Sequence, residues 1–201
     1  MVEVIEQWVL ALADQAWVYP LTSLLVVLDG IFPPVPSEAV LAALAALWQT
    51  TGTPGLGGLF LAGVIGAWLG DQLAYQVGRW IGVERFLRGP RSTAAIEWAR
   101  RSLESHGPSF LIVSRYIPVL RVAATMAAGS VGYSRKTYSA VTAVSSVIWT
   151  IYMLATGLIA GMWLQENPMA AMVLGIVVGI VIGLLVERVS RLILRRRERA
   201  V

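Results

Sequence analysis

Two apolar runs of 12 residues, Leu21 to Phe32 and Ser37 to Trp48, meet at the proline-rich segment Pro33-Pro34-Val35-Pro36-Ser37-Glu38. Twelve helical residues rise about 18 Å, well short of a hydrocarbon core about 30 Å thick. The pattern therefore predicts a re-entrant helical hairpin over 20–50, broken at Pro33, Pro34 and Pro36. A second broken segment follows over 107–134. There Ser109 to Ile117 leads into Pro118 and Val119 to Tyr133 follows, with Arg115 and Arg121 flanking the proline. Three uninterrupted apolar stretches, 55–82, 137–164 and 169–187, are long enough to be full transmembrane helices. Turns at Gly52-Thr-Pro-Gly55 and Glu166-Asn-Pro168 separate them from their neighbours.

The remaining segments are polar on one face or throughout. Ile5, Trp8, Val9, Leu12 and Ala16 recur at helical spacing with Glu3, Glu6 and Asp14 between them, which predicts an amphipathic interfacial helix over 1–19. Residues 83–106 mix arginines with glutamates, and Gly89-Pro90 divides them into two short pieces of a cytoplasmic, partly helical connector. Hairpin, connection and spanning helix thus occur twice, entering first from outside and then from the cytoplasm, which makes an inverted repeat. Gly78-x-x-x-Gly82 and Gly157-x-x-x-Gly161 echo each other at the ends of the two spanning helices. With Gly66, Gly70, Gly175, Gly179 and Gly183 they are read as close helix packing. The expected architecture is a single all-α integral membrane domain over 1–201: two opposed re-entrant hairpins, three transmembrane helices and one interfacial helix.

Composition agrees with this class. Of 201 residues, 57% are hydrophobic and 14% charged, and the mean hydropathy is +0.69, far too apolar for a soluble domain of this size. The absence of cysteine excludes disulfides and thiol chemistry, and His106 alone cannot build a histidine metal site, so no metal or cofactor is expected. The N-terminus, acidic rather than basic, does not read as a signal peptide. Charge then sets the orientation. Residues 1–78 carry no lysine or arginine and a charge of −6, whereas 79–201 carry all 16 basic residues and a charge of +10. The N-terminus is therefore expected on the outer side and the basic tail 188–201 in the cytoplasm. That tail is read as a topology signal, and nucleic acid is not an expected partner.

Within the hairpins, four charges stand at membrane depth, where ionisable groups line cavities or pathways. Asp29 lies near the negative end of the first half-helix, so it is the acid expected to exchange a proton more readily, and Glu38 follows Ser37, a candidate N-cap, at a positive helix end. Each acid either couples to protons or merely neutralises an intramembrane arginine. Arg121 falls in the first turn after Pro118, where free N–H groups and a guanidinium converge in a way that suits phosphate. Arg115 precedes the break, where a structural role competes with binding. Both arginines could pair with Asp29 and Glu38 across the midplane, and a phosphate would then compete for them.

Three motifs now carry a resemblance. Asp29 with Phe32-Pro-Pro-Val-Pro-Ser-Glu38, Gly66-Ala-Trp-Leu-Gly-Asp71-x-x-x-Tyr75-x-x-Gly78-Arg79-x-x-Gly82, and Arg115-Tyr-Ile-Pro118-x-x-Arg121 with Ala128-Gly129 resemble the DedA membrane protein family, also called the SNARE-associated or VTT domain family. The resemblance runs over residues 20–165. It implies a lipid transporter of the bacterial inner membrane, in some members recycling undecaprenyl phosphate and in others moving phospholipids, often dependent on the proton gradient. By the same resemblance Asp29 and Glu38 correspond to the family's paired acids, although the family commonly carries Glu where Asp29 stands, and Arg115 and Arg121 to its paired arginines. Asp71 caps or fixes a neighbouring hairpin or contacts substrate, and Arg79 anchors the cytoplasmic end of its helix. Tyr75 and Trp149 are read as packing or boundary residues.

The leading function is a flippase for a phosphorylated lipid, with membrane lipids and protons as partners and a homodimer as an option. A proton-coupled carrier of a small solute or ion is the alternative. A membrane lipid phosphatase, suggested by Ser37 beside an acid, lacks a histidine partner, and a scaffold would have no use for intramembrane charges.

Overall fold

The computed structural model describes residues 15–32, 35–81, 90–115, 118–162 and 177. Among these the regular structure is entirely helical: α1 (Val18–Ile31), α2 (Ser37–Thr51), α3 (Leu56–Ile81), α4 (Pro90–Ser114), α5 (Pro118–Ser130) and α6 (Arg135–Met162). Most of the interfacial helix expected over 1–19 lies outside the described residues, and Val18 and Tyr19 already belong to α1. Pro33 and Pro34, residues 82–89 with the first piece of the connector, the third crossing save residue 177, and the basic tail also lie outside them.

Two helices, Leu56–Trp80 and Arg135–Met162, are long and apolar enough to cross a membrane. Less than half of each apolar stretch is buried within the protein. On α3, Leu61, Ile65, Leu69 and Leu73 form an exposed row at fourfold spacing, and on α6 Val144, Ile148, Ile151 and Ile159 are exposed too. Exposed apolar stripes of this kind mark surfaces suited to lipid or to another protein rather than to water.

The proline segment breaks the first pair of short helices as expected. Phe32, before Pro33, takes the extended backbone that a following proline requires, with φ −123° and ψ 94°. Pro36 occupies the N-cap position of α2, so Ser37, expected to cap, is instead the first helical residue and its hydroxyl turns elsewhere. Gly52 ends α2 in the left-handed region at φ 76°, donating its N–H to the Trp48 carbonyl at 2.8 Å. A helix starts at Pro90, a residue suited to the first helical position, and runs to Ser114. It is interrupted at Gly107, whose φ of 45° and ψ of −117° a side chain would resist, and Pro108 opens the short arm beyond. The break predicted at Pro118 separates this arm from α5.

The short helices pack on the long ones more than on each other. Helix α1 lies against α3, α2 against α6, and α5 against both α3 and α4, while α1 and α2 meet only sparingly. The second arm of each broken pair is thus seated on the spanning helix of the other half. Glycines make these crossings close. A Cβ at Gly78 on α3 or at Gly129 on α5 would run into the backbone at Met126 or Tyr75, and one at Gly157 or Gly161 on α6 into the carbonyls of Ala42 or Ala46. Gly66 and Gly70 meet Ser23, Val26, Val27 and Gly30 of α1 in the same way. The echo between Gly78 and Gly157 is therefore one packing relation used twice. Gly129→Ala is expected to lower the thermal stability of the detergent-solubilised protein, because backbone rather than a movable side chain blocks the added methyl, at about 1–3 kcal/mol. Gly57→Ala, on α3 and with nothing near its Cβ, is the control and should be neutral or slightly stabilising.

Candidate functional site

The ends of the broken helices bring buried charges together. Asp29, in the last turn of α1, and Arg121, in the first turn of α5, are 92 positions apart in sequence and both buried. The Arg121 Nη2 lies 3.0 Å from Asp29 Oδ2 and donates to the Asp29 main-chain carbonyl at 2.6 Å. One guanidinium thus answers both the carboxylate and a carbonyl at the negative end of a half-helix. Ser37 completes this corner, its hydroxyl donating to Asp29 Oδ2 at 2.8 Å across the proline break.

Arg115 pairs differently from the expectation that both arginines would meet Asp29 and Glu38. It sits in the turn ending α4, buried, and its Nη1 donates to Oδ2 of Asp71 on α3. Its guanidinium also stands over the Trp149 ring of α6, 5.6 Å from the centroid, within cation–π range. Asp71 is thereby the residue that fixes the second broken segment to a spanning helix. Tyr138 donates its hydroxyl to the Asp71 carbonyl at 3.0 Å and stacks on Tyr75 at 4.6 Å, and Tyr75 donates to the Tyr133 carbonyl at 2.7 Å.

Glu38, in the first turn of α2, is only partly buried and has no ion pair among the described residues. It lies within electrostatic reach of Asp29 and Arg121, with the Trp149 side chain against it. Arg121 also feels Asp71, so the two ion pairs and Glu38 form one charged cluster. Both arginines keep a buried Nε that has no hydrogen-bond partner among the described residues. Two strong, desolvated donors thus remain available, a chemistry suited to an oxyanion. Arg79 stands exposed about two turns beyond Asp71 on α3, outside this cluster. Pro36 and Pro118 border the two breaks.

Sequence reasoning missed the use of Ser37 and Trp149. A signal for Trp149 exists: Thr142, Ser145, Ser146 and Thr150 lie at helical spacing around it and mark one face of α6 as polar, and all four are buried.

Helices able to cross a membrane, together with buried arginines and carboxylates at the meeting of two broken segments, define a helical membrane protein with a charged interior site. The chain belongs to the VTT domain, or DedA, family, whose pattern matches residues 35–158. Relatives include an alkaline phosphatase-like protein of Lactococcus lactis, 27% identical over 76% of this chain and 79% of its own. Protein DedA of Escherichia coli is 25% identical over 85% and 82%, and undecaprenyl phosphate transporter A of Staphylococcus aureus 25% over 69% and 72%. No solved structure matches the chain.

Proposed function

We propose that this protein moves a phosphorylated lipid, undecaprenyl phosphate or a phospholipid, across the bacterial cytoplasmic membrane with the help of the proton gradient. The observation that carries this reading is the pair of buried arginines with unfilled Nε donors where the two broken segments meet. In it the segments are re-entrant hairpins from opposite leaflets, the third crossing lies over 169–187, the N-terminus is outside and the basic tail cytoplasmic. The phosphate sits between Arg115 and Arg121, displacing carboxylates that hold them at rest, while the acyl or prenyl chain stays in the bilayer against the exposed apolar rows of α3 and α6. Exchange of one set of acceptors for another needs no covalent step, so the protein acts as a transporter and not as an enzyme. The undecaprenyl phosphate transporter among the relatives supports this choice of cargo.

Reconstitution into vesicles with a fluorescent lipid phosphate in one leaflet tests the reading. The protein is expected to speed transfer to the other leaflet, and faster under an imposed pH gradient than without one. A lipid distribution unchanged from empty vesicles would overturn it in favour of a small-solute carrier.

A further inference from the structure

The cluster contains three carboxyl groups, Asp29, Glu38 and Asp71, and two guanidinium groups, Arg115 and Arg121, so with every group ionised it carries one uncompensated negative charge. A desolvated charge without a partner is unfavourable, and a carboxyl group escapes by binding a proton. Geometry decides which one does. Asp71 is tied to Arg115, and Asp29 accepts from both Arg121 and the Ser37 hydroxyl, so protonating Asp29 would first break an ion pair. Glu38 has neither restraint, and its hydrogen bond is from the neutral indole N–H of Trp149. The groups facing it are the like-charged Asp29 from α1, the Arg121 of α5 that is already engaged by Asp29, and the neutral Trp149 of α6, behind which Arg115 lies on the Trp149 ring. Glu38 is also less buried than the other two acids, so a proton can reach it without unlocking the site.

We propose that Glu38 carries the exchangeable proton of this site, and that Asp29 serves as the partner of Arg121 until phosphate displaces it. The proposal rests on the phosphate-lipid reading only for what the proton accompanies. A proton from water on one side binds a Glu38 carboxylate oxygen, offsets part of the phosphate charge beside Arg121, and returns to water on the other side, so charge and protons balance. This reverses the expectation from helix ends alone, because the ion pair and hydroxyl at Asp29 outweigh the unfavourable negative end of α1.

Infrared difference spectroscopy of the purified full-length protein, without substrate, reads the proton directly. A protonated carboxyl stretch is expected in the wild type at neutral pH, absent from Glu38→Gln, and restored at a shifted frequency in Glu38→Asp. In vesicles bearing a fluorescent lipid phosphate, Glu38→Gln should abolish the acceleration that a pH gradient gives the wild type, and Glu38→Asp should regain part of it. Persistence of the carboxyl band in Glu38→Gln, or its absence from the folded wild type, would overturn the assignment, as would undiminished gradient acceleration in Glu38→Gln. If the wild type moves no lipid phosphate, the functional reading falls while the infrared result still decides where the proton sits.

Discussion

Arg121→Ala is expected to abolish phosphate-lipid movement and to destabilise the protein by about 3–5 kcal/mol, the range for breaking one partner out of a buried ion pair. The size of the effect follows from what is left behind. Without the guanidinium, Asp29 keeps a buried carboxylate whose only remaining donor among the described residues is the Ser37 hydroxyl, and a carbonyl of α1 loses its partner as well. Stability alone would not show that Arg121 binds cargo, since any buried counter-ion gives the same loss. The double replacement Arg121→Ala with Asp29→Ala separates the two roles. Removing both charges should recover most of the thermal stability of the detergent-solubilised protein, because no unpaired charge remains. Lipid transfer should stay at the level of empty vesicles. Recovery of transfer together with stability would show that Arg121 only neutralises Asp29.

The elements of this fold were readable where local chemistry is decisive. Three proline positions and a run too short to span announced the break after Phe32, and unbroken apolar stretches announced α3 and α6. Pairing was less legible. Nothing local to Arg115 says that its partner is Asp71, 44 positions earlier on a spanning helix, rather than an acid of the first broken segment. That choice depends on α5 seating itself against α3 through Gly78 and Gly129, a contact between surfaces distant in sequence. Ser37 shows the same limit. An N-cap reading was sound for a serine before a helix, but Pro36 took that position and left the hydroxyl free to reach Asp29.

The Asp71–Arg115 pair gives the other large effect. Asp71→Asn leaves a buried guanidinium short of its counter-charge, facing a neutral amide and the Trp149 ring, and is expected to cost about 3–5 kcal/mol with a matching drop in thermal unfolding temperature. It should also release the turn at Arg115 from α3, so lipid transfer fails in this variant for a positional reason. Replacing both members by apolar residues of similar volume, Asp71→Leu with Arg115→Met, tests whether position is all that the pair supplies. A well-packed apolar pair commonly equals or exceeds a buried ion pair in stability, so the double variant should fold at least as firmly as the single one and approach the wild type. If Arg115 holds phosphate alongside Arg121, transfer remains absent although the fold is restored. If transfer returns with stability, Arg115 is a strut, and the phosphate is held by Arg121 and the free N–H groups at the start of α5.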